Sequence, residues 1–197
     1  MISEERKLID GFNRFIKEKF YKEINPREKY LAFREENDIE SYEYHIKLDS
    51  KFSKGVSIRV DSFLNTEVVS YLKEKYSKDC DNVLIDITGK RIYLIEVKKR
   101  GAFESCSRHE FEEKEEDTLY FVRYLFWIIG KINEFDTYEI IKIRWKYGNS
   151  RRPDRASVKK LGNKGPYQRY KGLENTYKIN CLSKIYLDQL FQVTDEI

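Results

Sequence analysis

Cysteine, proline and histidine are scarce in this chain, with 3, 3 and 2 copies among 197 residues. The cysteines, Cys80, Cys106 and Cys181, are odd in number and widely spaced. That pattern fits neither a disulfide framework nor a zinc site, and it points to a reducing, intracellular setting. The opening residues, MISEERKLID, have no basic stretch leading into an apolar one, so no secretory signal is read there. No apolar run reaches the length of a membrane span, and the longest cluster, around Tyr120 to Ile129, is broken by Arg123. Internal repeats and low-complexity tracts are also lacking. The expectation is a soluble, cytoplasmic protein.

Charge is abundant. Asp, Glu, Lys and Arg make up 37% of the chain, and the mean hydropathy is −0.72. Hydrophobic residues at 40% still allow a core, and 15% aromatics argue against a disordered chain. The length suits one well-buried domain. A net charge of +4 permits nucleic-acid binding without requiring it.

Residues 3–22 place Leu8, Ile9, Phe12, Phe15, Ile16 and Phe20 at helical spacing, with Ser3 as the N-cap. Residues 41–48 and 55–61 alternate apolar and polar side chains around a polar loop, which predicts a hairpin. Leu64, Val68, Val69, Leu72 and Tyr76 predict a helix over 63–76. Two strands follow, Asp81 to Ile87 and Arg91 to Lys98, linked at Thr88-Gly89-Lys90. A long helix over 110–132, a strand over 138–146, a strand over 176–182 and a closing helix over 183–192 complete the order. This predicts an α/β fold in a single domain, residues 1–197.

The stretch from Asp81 to Lys98 carries the chemistry. If Thr88 and Gly89 form a two-residue link, Ile87 opposes Lys90 and Asp81 falls opposite Glu96. Alternation along the strands then sets Asp81, Glu96 and Lys98 on one face. Facing carboxylates repel unless a cation lies between them, and a divalent ion with oxygen ligands resolves the conflict. Lys98 beside them can orient or activate a water, or stabilise a pentavalent phosphate. Asp86 points to the other face in this register and reads as a turn residue. Asp79 shares the face of Asp81 one pair further out and is an alternative ligand.

Asp81, fourteen intervening residues and then Glu96-Val97-Lys98 resemble the active-site motif of the PD-(D/E)xK nuclease superfamily. The surrounding helix, hairpin and helix over about 62–146 resemble its core. The chain departs in having Cys80 where the first motif often has Pro. The resemblance implies a restriction-endonuclease-like fold, a central mixed sheet flanked by helices, and a Mg2+-dependent endonuclease, with Mn2+ as a substitute ion. By resemblance Asp81, Glu96 and the Val97 main-chain carbonyl would hold the metal, and Lys98 would act on the attacking water. Glu67, on the preceding helix, is either a further metal ligand or a first-turn Glu serving the helix dipole. Lys114 lies where some relatives carry a basic active-site residue, but its setting reads as a solvated charge run. Some relatives use an N-terminal His as ligand. His45 reads instead as the polar side of a strand, and His109 as a surface residue. A chain of this size resembles compact endonucleases that act as homodimers to cut two strands.

From Arg144 to Lys171 there are ten Lys or Arg, opposed only by Asp154. Within about 148–172, which holds four Gly and two Pro, Arg151, Arg152, Arg155, Lys159, Lys160, Lys164 and Arg169 are the candidate phosphate contacts. Tyr147, Tyr167 and Tyr170 are interleaved as candidate base-stacking groups. DNA is the favoured partner. An RNA endonuclease on the same fold and a non-catalytic nucleic-acid-binding module are the alternatives.

Overall fold

The structure, a computed structural model, describes residues 3–25, 27–36, 41–60, 79–148, 166–193 and 197. The helix expected over 63–76 lies outside the described residues. So do Glu67 and most of the basic segment: Arg151, Arg152, Arg155, Lys159, Lys160 and Lys164.

Helix α1, Glu4–Phe15, is capped by Ser3, whose hydroxyl accepts from the Arg6 N–H at 3.2 Å. It stops well short of the expected residue 22. Ile16 turns extended, and Phe20 is buried from a 3-10 turn at Glu18–Phe20. Strand β1, Tyr21–Ile24, then pairs antiparallel with β4, Gly55–Ile58. Strand pairing thus overrides the helical spacing of Ile16 and Phe20.

The expected hairpin over 41–61 is not formed. Strand β3, Ser41–Lys47, pairs instead with β2, Tyr30–Glu36, while β4 pairs with β1 and with β5, Asn82–Asp86. Every residue of β4 is buried, which marks an interior strand covered on both sides. Gly55 permits this packing, because a Cβ there would lie 2.3 Å from the Ile85 carbonyl oxygen.

The remaining elements are β6, Arg91–Lys99; α2, Arg100–Ser105; α3, Arg108–Ile128; α4, Ile132–Phe135; β7, Glu139–Tyr147; β8, Tyr167–Arg169; β9, Thr176–Leu182; β10, Lys184–Tyr186; and α5, Leu187–Leu190. Of the closing helix expected over 183–192, Leu187–Leu190 is helical, while Lys184–Tyr186 is strand and pairs parallel with β3. One sheet has seven strands in the order β1-β4-β5-β6-β7-β9-β8, and a second has three, β10-β3-β2. The Glu139 N–H donates to the Lys90 carbonyl at 2.9 Å, so β7 starts beside the start of β6 and runs parallel to it. The larger sheet is thus mixed, and the fold is α/β. Among the described residues no helix is long and apolar enough to cross a membrane.

The chain forms two compact units. The first holds Met1–Pro26, Lys51–Glu96 and Cys106–Lys142, and the second holds Arg27–Ser50, Val97–Ser105 and Ile143–Ile197. In the first, Val83, Ile85, Ile92 and Leu94 of β5 and β6 share a core with Leu8, Ile9 and Phe12 of α1 and Val122, Leu125 and Phe126 of α3. In the second, Trp145 of β7 is fully buried, edge-on to Tyr44 at 5.1 Å, and its indole N–H donates to the Leu182 carbonyl at 2.8 Å.

Helix α3 carries explicit stop and start signals. Ser107 accepts from the Glu110 N–H at 3.1 Å, and Glu110 accepts from the Ser107 N–H at 2.7 Å, a reciprocal capping box. At the other end Gly130 has φ +72°, and the Lys131 N–H reaches the Phe126 carbonyl at 2.8 Å, closing the helix in a left-handed turn. Ser107→Ala is expected to lower unfolding free energy by about 1 kcal/mol, read from urea denaturation. An unchanged midpoint would show that the cap contributes nothing.

Candidate active site

The ladder between β5 and β6 sets Asn82 opposite Ile95, Val83 opposite Leu94 and Asp86 opposite Arg91. This is the register expected from a two-residue link at Thr88-Gly89. Continued by one pair, it sets Asp81 opposite Glu96. The turn residue is Asp86, whose carboxylate accepts from the Gly89 N–H at 2.8 Å. Its side chain is buried, and a Cβ on Gly89 would meet it at 2.3 Å, so the turn and its acid are packed against each other.

Side-chain alternation puts Asp81 on the face of Val83 and Ile85, and Glu96 on the face of Ile92 and Leu94. That face is the one that packs into the core of the first unit. At the ends of the strands it changes from Leu94 to Glu96, and α3 changes in step. Toward its C-terminus α3 buries Val122, Leu125 and Phe126; toward its N-terminus it buries Thr118, Glu115 and Phe111. Polar groups on the helix thus meet polar groups on the strands.

Glu96 is only 1% exposed, although it is a carboxylate. Its Oε1 lies 2.8 Å from Lys114 Nζ, which also donates to the Asp79 carbonyl at 3.1 Å. Burial opposes the charge on Lys114, but the carboxylates of Glu96 and Asp81 outweigh it and raise the lysine above its usual range. Lys114 is therefore no member of a solvated run, contrary to the expectation from its neighbours in sequence. It is placed against the candidate acid. Asp79 is buried beside it.

Two further groups surround this cluster. Thr118 is fully buried and accepts from the Cys80 N–H at 2.8 Å, which fixes the chain just before Asp81. Burial, reinforced by the Glu96 carboxylate, pushes the Cys80 thiol well up, and its side chain packs in the core of the first unit. Glu115, 2% exposed, has Lys142 of β7 at 3.6 Å. Val97 and Lys98 continue β6, and alternation keeps Lys98 on the side of Glu96.

Among the described residues, no group of three or more His, Cys, Asp and Glu side chains is placed to hold a metal ion. The expected set contributes two such side chains there, Asp81 and Glu96, and its third, Glu67, lies outside. His45 stands on the polar side of β3 with its Nε2 3.5 Å from Glu43, and His109 is exposed on α3 beside Glu113. Both match the sequence reading.

The described part of the basic segment departs from the expectation. Arg144 is 1% exposed, with its guanidinium 4.9 Å from the Tyr170 ring centre, and Lys146 is paired with Glu104 at 2.6 Å. Tyr147 and Tyr167 are buried, so neither is a platform for a base. Their roles are internal to the second unit. Arg169, in β8, is half-buried and Lys171 is exposed. The sequence matches no family model, and comparisons with curated proteins and with solved structures find no significant match.

Proposed function

We propose that the chain is a metal-dependent endonuclease that hydrolyses phosphodiester bonds, with DNA as the favoured substrate and a restriction-endonuclease-like arrangement of its strands. The observation that supports this most is the β5–β6 register, whose continuation by one pair beyond Asn82–Ile95 would bring Asp81 opposite the buried Glu96, on the face that continues to Lys98. Carboxylates and a main-chain carbonyl are hard oxygen donors, and such a set fits Mg2+. Asp81 and Glu96, with the Val97 carbonyl next in the strand, would hold the ion. Bound there, it would polarise a phosphoryl oxygen and lower the pKa of a water.

The chain's own groups would do the rest. Lys98 would hold the attacking water, or neutralise charge that builds on the phosphate. Thr118 fixes the strand entry through Cys80, which keeps Asp81 in place. The basic residues from Arg151 to Arg169 would meet the backbone phosphates.

One observation favours a second reading, a nucleic-acid-binding module without catalysis. The Lys114 ammonium already compensates Glu96, as it would in a structural ion pair. Incubation with plasmid, branched DNA and single-stranded RNA, with and without Mg2+ or Mn2+, separates the two. Cleavage that needs the ion is the expected result. Binding without cleavage of any of the three would favour the module, and cleavage of RNA alone would move the substrate.

A further inference from the structure

Lys114 stands in an unusual place for a lysine. Its ammonium faces the Glu96 carboxylate at 2.8 Å and the Asp79 carbonyl at 3.1 Å, within the field of Asp81. These are oxygen groups of the kind that take a divalent cation. The side chain remains 20% exposed, so it has a way out to water. Its anchor is the rigid α3, while its four-carbon stem carries the charge on rotatable bonds. A buried carboxylate without a positive neighbour is costly, and the ammonium supplies that neighbour when no ion is present.

We propose that Lys114 is the resident counter-ion of this acid cluster and that a divalent cation displaces it, so that lysine and metal compete for Glu96. The proposal rests on the metal reading above. In it, the ammonium holds the carboxylate in place for the ion and sets how tightly the ion binds. The cluster then stays assembled in both states, with one cation exchanged for another.

The test uses the full chain and brief acetic anhydride labelling, read by peptide mass spectrometry, with and without Mg2+. Lys142 serves as internal control, because it neighbours Glu115 and not Glu96. Labelling of Lys114 is expected to rise severalfold at saturating Mg2+ while Lys142 stays flat. Unchanged or reduced labelling of Lys114, in protein shown by calorimetry to bind the ion, would overturn the proposal and leave the metal reading standing. Absence of binding would overturn both.

Lys114→Met gives an independent readout. Mn2+ is expected to bind this variant about tenfold more tightly or better, within the range usual for coupled sites. Equal or weaker binding would sink the competition. If Lys114→Met is unfolded without metal, Mn2+ must restore its fold, and the paired variant Glu96→Gln/Lys114→Met must fold without it. Failure of either overturns the proposal.

Discussion

Replacing Glu96 with Gln is expected to lower metal-dependent cleavage on the order of 10^3-fold while leaving the chain folded. Gln keeps the volume and one carbonyl oxygen, so packing against α3 is preserved. What it removes is the negative charge that would hold the ion. Its partner Lys114 is 20% exposed and can turn to water, so the stability loss should fall below the roughly 3–5 kcal/mol seen when a fully buried pair is broken. Lys98→Ala makes the contrast. It should keep metal affinity and lose about 10^2- to 10^4-fold in rate, the usual contribution of a positioned proton-transfer group. Calorimetric Mn2+ titration and initial cleavage rates read the two effects separately. Cleavage by Glu96→Gln at the rate of the unaltered chain would remove Glu96 from the site. Loss of metal binding in Lys98→Ala would make Lys98 a positioning residue for the ion and not a group acting on water.

The strands that bear these residues were legible because their signals are local. A Gly in a short polar link, flanked by two apolar runs, sets the register from Asp86–Arg91 outward, and nothing distant is needed to fix it. The same logic made Asp86 readable as a turn acid. Strand β9 is likewise found over the residues expected of it, Thr176–Leu182. The elements that were missed depend on partners far along the chain. Tyr21–Ile24 continues a helical spacing and becomes strand only through β4, while Lys184–Tyr186 becomes strand only through β3. Strand β2 contains Arg34, Glu35 and Glu36, and such charge disguises a strand.

Lys114 was hidden for a related reason. It sits in the run Glu110 to Asp117, whose composition is that of a solvated helix face. A signal was available in the phase of α3. Helical spacing carried from Phe126 and Val122 toward the N-terminus leads to Thr118, Glu115 and Phe111, so the buried stripe passes through the charged run. A buried stripe that turns from apolar to charged over one helix marks the place where a strand face does the same. At the described edges of the basic segment the composition misled in the opposite direction. Arg144, Tyr147 and Tyr167 contributed to an apparent binding composition, yet all three are buried. Lysine and arginine counts locate a positive segment, but they do not separate side chains that face solvent from those that close a core.

Phe126→Ala is expected to cost about 3–5 kcal/mol, the upper range for truncating a single core side chain. The ring is fully buried and edge-on to three others, Phe12 at 5.4 Å, Phe135 at 5.5 Å and Tyr138 at 5.4 Å. Truncation would leave three aromatic rings facing a cavity, and rings on α1, on α4 and just before β7 cannot all close on it. The melting temperature should fall on the order of 10 °C, as measured by circular dichroism. Phe126→Leu fills more of the space and should cost markedly less. A truncation that costs under about 1 kcal/mol would show that the core collapses around the gap. The consequence for the site follows from the helix. Phe126 anchors the C-terminal half of α3, and the N-terminal half carries Thr118, Glu115 and Lys114 against the strand ends. Hydrogen exchange along 108–128 in the variant should therefore quicken at both ends of α3. If exchange quickens only near Phe126, the capping box at Ser107 and the Lys114–Glu96 contact hold the site half of the helix by themselves.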